Sequence, residues 1–247
     1  MSKVVLALSG GMDSTVLLHM AATQFDEIYT IAFDYGQRHH RELSCAWYQT
    51  KVLTRKNPKL KVYQKLLNVN YIKDIAPVSS LTNPDIKNPN IKEMAGDAQP
   101  VSYVPFRNMM FLSIACSYAE SVQADQVWYG AAQADSLAGY WDGSHEFLSS
   151  VNEIISLNRK SKIRIVAPLL VMSKKQIVEE GVKLGVDFAN TWTCYSDRED
   201  GLADADTPSS SLRLRGFIEA GYKDPIKYVQ QINIDKIYIE KGCIDTP

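Results

Sequence analysis

The residues best suited to chemistry lie in a short loop near the start of the chain. An apolar run that ends at Leu8 is followed by Ser-Gly-Gly-Met-Asp-Ser over residues 9–14, and then by a helical pattern. Glycines let a backbone approach a phosphate closely, and the N–H groups that open a helix attract anions. The hydroxyls of Ser9 and Ser14 add two donors. The loop therefore predicts a phosphate site, although the same residues also fit a tight turn in which Asp13 or Ser14 caps the helix.

Two further stretches carry charged side chains beside predicted elements. Residues 33–39 end a predicted strand, where Arg38 can pair with phosphate and His39 can assist proton transfer near neutral pH. Arg107 and Asn108 open a strongly apolar helical stretch, where they can bind anionic or polar ligand atoms. Each stretch alone also fits a plainer structure, namely a turn with solvated charges and a simple helix cap.

Aromatic residues and carboxylates are mixed in residues 130–147. Stacking on aromatic rings and hydrogen bonds to carboxylates suit a planar ligand such as a purine-like base. An exposed loop with two packed aromatic rings would have the same composition. The substrate-binding candidates are Asp135, Tyr140, Trp141, Asp142 and Glu146, together with Tyr35 and Gln37 from the earlier stretch.

The elements that must position these residues alternate between strand and helix. Apolar, β-branched runs predict strands at 4–8, 28–33, 61–67, 126–130 and 163–167, and helical spacing predicts helices at 15–22, 41–53, 108–120, 145–157 and 173–184. This alternation predicts an α/β fold with an open, parallel, five-stranded sheet and helices on both faces. Ligands bind beyond the carboxyl ends of such strands, so the loops at 9–14, 34–41 and 130–146 should share one rim.

The rest of the chain is less regular. The four prolines and many polar residues of 68–100 predict loops and short turns. A polar loop at 196–211 precedes one or two helices. We therefore predict an α/β domain at 1–190 and a helical and loop extension at 191–247 that completes the site.

The composition excludes several classes of protein. Among 247 residues, 27 are Lys or Arg and 28 are Asp or Glu, a balance that argues against a dedicated nucleic-acid binder. No apolar run approaches the ~18 residues of a membrane span, and the first residues do not form a signal peptide. The four cysteines include no C-x-x-C pair. We therefore predict a cytoplasmic protein that binds neither nucleic acid nor membrane.

Several ordered motifs together resemble the 7-cyano-7-deazaguanine synthase family of ATP pyrophosphatases. They are the 9–14 loop, Phe-Asp-Tyr-Gly-Gln-Arg-His at 33–39, Val-Pro-Phe-Arg-Asn at 104–108, Ala-Pro-Leu-Leu-Val-Met-Ser-Lys at 167–174, Leu-Gly-Val-Asp at 184–187, Thr-Trp-Thr-Cys-Tyr at 191–195 and Leu-Arg-Leu-Arg-Gly-Phe at 212–217. The resemblance covers the chain from Val4 to about Pro225.

The resemblance implies a fold like that of the adenine nucleotide alpha hydrolases (the PP-loop fold), with ATP cleaved to AMP and pyrophosphate. It implies that Asp13 helps to hold Mg²⁺, and that family members are commonly homodimers. The residues it would place in catalysis are Asp13, Arg38, His39 and Arg107. Those it would place at ATP are Leu8, Ser9, Gly10, Gly11, Met12, Asp13, Ser14, Arg107 and Asn108.

The chain also departs from the family pattern. Members normally hold zinc with four cysteines, whereas only Cys194 is present here, and Asp204, Thr207 and Ser210 occupy the other positions. One thiolate with oxygen donors makes a poor zinc site, so we predict no zinc. Near the expected base, Gly-Tyr-Trp-Asp-Gly-Ser at 139–144 replaces a usual Gly-Tyr-Pro-Asp-Cys-Arg, and Phe106 replaces a glycine.

These departures leave several functions open. The first is an ATP-dependent ligase that adenylates 7-carboxy-7-deazaguanine and joins it as an amide to ammonia or to a protein amino group, a role that would suit the family's diverged relatives in antiphage gene clusters. The second is the conventional nitrile synthase of queuosine biosynthesis. The third is a silent binding or scaffold protein, which an intact phosphate loop argues against. A tRNA sulfur transferase is placed last, because paired cysteines and a basic surface are absent from the sequence.

Overall fold

The structure is a computed structural model of the whole chain, and it describes residues 1–37, 41–88, 100–133, 140–195 and 198–246. It contains one five-stranded sheet, in which all neighbouring strands are parallel. The strands are β1 (Lys3–Ala7), β2 (Glu27–Asp34), β3 (Lys61–Asn68), β4 (Gln126–Trp128) and β5 (Arg164–Val166). Their order is β3-β2-β1-β4-β5. The predicted fold class is therefore confirmed.

The central strand explains why its sequence is continuously apolar. Val4 pairs with Ile28 of β2 on one side and with Gln126 of β4 on the other. Val4, Val5 and Leu6 are fully buried, because helices cover both faces of the sheet. A strand that is buried on two faces needs apolar side chains at consecutive positions rather than at alternate ones.

The helices divide between the two faces. In the described residues they are α1 (Met12–Ala22), α2 (Arg41–Lys56), α3 (Tyr71–Ile75), α4 (Arg107–Val122), α5 (His145–Ser156), α6 (Lys174–Lys183), α7 (Pro208–Glu219) and α8 (Gln231–Lys241). One apolar core joins the sheet to α4 and α5. A second core joins its other face to α1, α2, α6 and the end of α7.

Two helices begin at least three residues earlier than the sequence predicts. α1 begins at Met12 rather than at residue 15, because Gly11 adopts an extended conformation and is the N-cap. Asp13 and Ser14 therefore lie in the first turn, and neither is the helix cap. α7 begins at Pro208, inside the predicted 196–211 loop, because proline suits the first position of a helix.

The C-terminal part of the chain packs through a third cluster that combines early and late residues. Cys45 of α2 and Trp192 lie in it together with Leu214, Tyr228 and residues of α8. The division at residue 190 stays a prediction, since the cluster crosses that boundary. No helix in the described ranges has the length and apolar character needed to cross a bilayer.

A buried ion pair holds this C-terminal part in place. The Arg213 guanidinium donates to both carboxylate oxygens of Asp224, at 2.6 and 2.8 Å, and both side chains are almost completely buried. Arg213 also donates to the Thr191 hydroxyl at 2.7 Å, and the Tyr228 hydroxyl donates to Asp224 at 2.7 Å. The 191–195 segment is thereby fixed against α7.

Candidate active site at the centre of the sheet

A cavity of about 270 Å³ opens beyond the carboxyl end of β1. The strand order reverses between β1 and β4, and in open α/β sheets the crevice at such a reversal is where ligands bind. The described parts of the three predicted rim loops line this cavity. Their contributions are residues 8, 9 and 11–14, Tyr35 and Gln37, and Gly130, Ala131, Tyr140, Asp142 and Gly143.

The two serines of the phosphate loop bond to each other and to the loop's own backbone. Ser9 Oγ lies 3.0 Å from Ser14 Oγ, and Ser14 Oγ accepts a hydrogen bond from the Gly10 N–H at 3.2 Å. Ser9 Oγ accepts one from the Gly11 N–H at 3.2 Å. These bonds shape the loop before any ligand binds. Ser9 remains exposed at the cavity, where its hydroxyl can also meet a phosphate.

Gly10 allows this loop to pack directly against α2. Its φ is +93°, a conformation that side-chain-bearing residues rarely adopt. A Cβ at this position would overlap the Glu42 carbonyl oxygen and lie 2.7 Å from the Ala46 nitrogen. The Gly10 carbonyl also accepts from the Trp192 N–H at 3.1 Å, so the loop is fixed from two sides.

Asp13 pairs with a lysine that is not among the predicted site residues. Lys174 Nζ lies 2.6 Å from Asp13 Oδ2, and both side chains are largely buried. Lys174 comes from the first position of α6, whose N-cap Ser173 forms a capping box with Gln176. It brings a positive charge beside a phosphate loop that has no lysine of its own. The Ser-Lys pair that ends the 167–174 motif was the available signal.

The residues present fit the Mg²⁺ that the family resemblance implies. Asp13 Oδ1 is buried at the cavity and has no hydrogen-bond partner among the described residues. A buried carboxylate oxygen without a partner is unfavourable, and oxygen is the ligand that Mg²⁺ prefers. Asp13 is therefore suited to hold the ion, which would neutralise phosphate charge when bound.

Arg107 lies across the cavity as a fixed cation. Its guanidinium donates to the Tyr35 hydroxyl at 3.2 Å and to Asn108 Oδ1 at 3.3 Å. Burial lowers the pKa of Arg107, but Tyr35, Tyr195 and Asp142 outweigh burial and raise the pKa overall. Arg107 therefore remains charged, and it faces the cavity together with Asn108.

The predicted base-binding residues separate into two groups. Tyr140 and the buried Asp142 line the cavity, and the Tyr140 hydroxyl lies 2.7 Å from Ser102 Oγ. Gln37 lines it too, although its amide accepts from the Tyr35 N–H and donates to the Phe33 carbonyl.

Trp141 and Glu146 do not belong to the described cavity wall, since both lie on the exposed side of this region. Arg38, His39 and Asp135 fall outside the described residues.

An aromatic cluster lies directly beside the cavity-lining residues Arg107 and Tyr140. Phe106 has a φ of +54°, although it is a bulky residue, and its ring is 58% exposed. The ring meets Trp141 edge to face at 5.6 Å, and Tyr103 Oη accepts from both the Phe106 N–H and Trp141 Nε1. A phenylalanine at positive φ is strained, so the surrounding contacts must hold it there.

The residues at the family's zinc positions do not fit a zinc ion. Cys194 Sγ accepts from the Asp204 N–H at 3.3 Å and lies 3.8 Å from Thr207 Oγ1. Thr207 in turn donates to Ser210 Oγ at 2.8 Å. The Asp204 carboxylate accepts from Gln230 instead of facing the thiol. The four aligned positions do meet, but as a hydrogen-bonded cluster with one sulfur atom.

The fold and the cavity together define a nucleotide-binding α/β protein, with a glycine loop at the end of the central strand. The family model described as queuosine biosynthesis protein QueC matches residues 3–221. The chain therefore belongs to the QueC family.

Individual relatives are similar over almost their whole length. The 7-cyano-7-deazaguanine synthase of Clostridium kluyveri is 41% identical over 234 residues, which cover 92% of this chain and 98% of the relative. The synthase of Thermoplasma volcanium is 38% identical over 230 residues, with 92% and 90% covered. Among solved structures, the tRNA thiolase NcsA of Methanococcus maripaludis matches with a TM-score of 0.47 and 15% identity, over 98% of this chain and 70% of that chain.

Proposed function

We propose that this protein is an ATP-dependent 7-cyano-7-deazaguanine synthase. It activates the carboxylate of 7-carboxy-7-deazaguanine as an adenylate and releases pyrophosphate. Ammonia then displaces AMP to give the amide, and a second activation dehydrates the amide to the nitrile. The observation that carries the proposal is that one cavity is lined both by the phosphate loop and by Tyr140 and Asp142.

The side chains around the cavity suit this chemistry. The loop backbone and Lys174 can bind the phosphates, while Arg107 offers a fixed charge to the carboxylate or to the α-phosphate. Tyr140 can stack on or bond to the base, and Asp142 can accept from its ring N–H or amino groups. The protein would act mainly by holding the carboxylate in line with the α-phosphate and by stabilising developing charge.

The names of the relatives support the nitrile synthase over the amide ligase, which the sequence alone favours. The amide ligase remains the second candidate because of one observation. Phe106, with its positive φ, and Trp141 pack against each other directly beside the cavity-lining residues Arg107 and Tyr140, at positions where the family pattern has smaller residues. Ammonia as the amine donor, a homodimer and a cytoplasmic location remain predictions.

Product mass is the decisive measurement. The purified protein would be incubated with ATP, Mg²⁺, 7-carboxy-7-deazaguanine and ¹⁵N-ammonium, and the products separated by liquid chromatography and weighed. A nitrile that contains ¹⁵N is the expected product, and Asp13→Asn should abolish it. An amide that accumulates without nitrile would favour the ligase instead. Absence of AMP would contradict both activities.

A further inference from the structure

Glu42, a carboxylate that is not among the predicted site residues, lies in the cavity wall beside the phosphate loop. It comes from the first turn of α2 and lines the cavity. Its Oε1 atom is 4.0 Å from the position that a Cβ on Gly11 would take. A negative charge beside a site for phosphates is unfavourable, so the position of this carboxyl group requires a chemical explanation.

Glu42 is held at this point by its neighbours on both sides. The preceding Arg41 stacks on the Trp192 ring at 3.9 Å and donates to the Gly201 carbonyl at 2.8 Å. On the other side, the Glu42 carbonyl packs against Gly10. The backbone of the first turn is therefore fixed, and the side chain extends into the cavity.

Several ionisable groups face Glu42 from the described elements around it. They are Arg107 on α4, Tyr35 after β2, Cys194 and Tyr195 before α7, and Cys45 on α2 itself. Burial raises the pKa of Glu42 to about 8, with Arg107 opposing the rise and Cys194 adding to it. A group with this pKa can accept and release a proton near neutral pH.

Resting on the function proposed above, we infer that Glu42 is the proton acceptor of the C–N bond-forming step. The nitrogen lone pair attacks the carbonyl carbon of the acyl adenylate, and the C–O bond to AMP breaks, with its electron pair leaving on the AMP phosphate. The nitrogen then carries one proton too many, and that proton moves to the Glu42 carboxylate. The products are the amide, AMP and a protonated Glu42, which returns its proton to solvent.

Adenylation and C–N bond formation are two half-reactions that can be measured independently. Glu42→Gln keeps the size of the side chain but cannot accept the proton. Exchange of labelled pyrophosphate into ATP in the presence of 7-carboxy-7-deazaguanine reports adenylation, and it should stay within about 3-fold of wild type. Amide and nitrile formation should fall by at least about 10²-fold, since general-base catalysis contributes that much or more.

Two further measurements distinguish proton transfer from a merely structural role of Glu42. One changes the nucleophile, and the other follows the rate as a function of pH. After attack, the nitrogen of hydroxylamine holds its extra proton less strongly than the nitrogen of ammonia does, so water can accept that proton. Hydroxylamine should therefore restore product formation, as a hydroxamate, in Glu42→Gln. When the rate is divided by the concentration of unprotonated ammonia and plotted against pH, the wild-type rate should rise with a midpoint near pH 8. Glu42→Gln should lack that rise.

Protein stability is the folding control. The pKa of Glu42 is about 4.5 in the unfolded chain and about 8 in the folded protein. Between these pH values only the unfolded chain ionises Glu42 readily, so the contribution of Glu42 to the free energy of unfolding falls as the pH rises to about 8. Glu42→Gln should therefore unfold at the wild-type temperature or above it at pH 8. Glu179→Gln, at an exposed residue on α6, should change neither half-reaction.

Three results would overturn the inference. Full amide synthesis by Glu42→Gln would remove its role in proton transfer. Loss of pyrophosphate exchange in the variant would make Glu42 a residue that binds ATP or its metal. Absence of exchange in the wild-type protein would instead contradict the proposed function itself, and the inference with it.

Discussion

At the scale of single residues, the Asp13–Lys174 ion pair lies at the loop that is expected to bind the phosphates. Nζ and Oδ2 are 2.6 Å apart, and only 12% of the lysine side chain is exposed. We expect Lys174→Met to lower the rate of AMP formation by roughly 10²-fold or more, because a preorganised charge at a reacting phosphate contributes on that scale. The measurement is AMP release with saturating 7-carboxy-7-deazaguanine.

The next residue on the same helix provides a matched control. Lys175 forms an exposed pair with Glu179, at 3.7 Å, on the outside of α6. Lys175→Met should leave AMP release unchanged. Equal losses in the two variants would mean that the helix, and not the Asp13–Lys174 contact, determines the rate.

Phe106, which directly precedes the cavity-lining Arg107, allows a test of backbone strain. At φ +54°, glycine avoids the steric penalty that alanine still has. Both substitutions lose the contact with Trp141, so we expect Phe106→Gly to be more stable than Phe106→Ala by about 1 kcal/mol. Chemical denaturation of the two variants measures the difference.

Met109, one turn later and exposed on α4, should show the opposite order. In an ordinary helix, glycine is less stable than alanine by about 1 kcal/mol. If alanine were also the more stable residue at position 106, the strain there would be refuted.

The sequence predicted the side chains whose partners are local and missed those whose partners are distant. Residues 9–14 could be assigned because strand, turn and helix follow one another directly. Lys174 meets a residue 161 positions earlier in the chain, and no spacing rule connects the two. In the sequence alone, Glu42 cannot be distinguished from any acidic residue in the first turn of a helix. Only the packing of α2 against Gly10 places it at the phosphate loop.

At the scale of elements, α7 is fixed by a buried ion pair that can be broken from either side. Arg213 and Asp224 are 1% and 0% exposed. Removing one partner leaves a buried charge without compensation, so Arg213→Met should lower the free energy of unfolding by about 3–5 kcal/mol. Urea unfolding followed by circular dichroism is the measurement.

Arg215, on the exposed side of the same helix, is the matched control. Its pair with Glu219 is open to solvent, with the arginine side chain 73% exposed. Arg215→Met should change the free energy of unfolding by less than about 0.5 kcal/mol. Similar losses at both positions would show that the buried pair gives no special stability.

The elements themselves were largely predictable, because apolar periodicity depends on which face is buried. The five strands lie within two residues of their predicted bounds at each end. The error at α7 has a physical reason. Its first turn, Pro-Ser-Ser-Ser, has the composition of a loop, and packing of Leu214 and Phe217 further along decides that it is helical.

At the scale of the whole molecule, the C-terminal region packs around hydrogen bonds at the positions where its family holds zinc. We expect chelators to leave the unfolding temperature unchanged, because Cys194, Thr207 and Ser210 already satisfy one another. Thermal unfolding with and without EDTA tests this. A marked fall with EDTA would contradict it.

Placing cysteines at the family's zinc positions tests the geometry of the same cluster. A variant that combines Asp204→Cys, Thr207→Cys and Ser210→Cys should bind one zinc ion per chain, measured by elemental analysis, because four thiolates would then surround one point. Adding Cys194→Ala to that variant should weaken binding. If the triple variant binds no zinc, the four positions do not converge as described.

The central position of β1 has a consequence for synthesis on the ribosome. β1 emerges first, yet its second neighbour, β4, follows β2 by roughly 90 residues, which is roughly 5–20 s of translation. During that interval the edge of β1 that β4 later covers has no strand partner, and an open, apolar edge invites aggregation. Nascent chains that stop before β4 should therefore bind chaperones more strongly than chains that extend past β5. Co-purification of chaperones with stalled chains would measure this difference.

Slow translation between β3 and β4 would lengthen this exposure, so the yield of folded protein should depend on codon usage there more than in the C-terminal region.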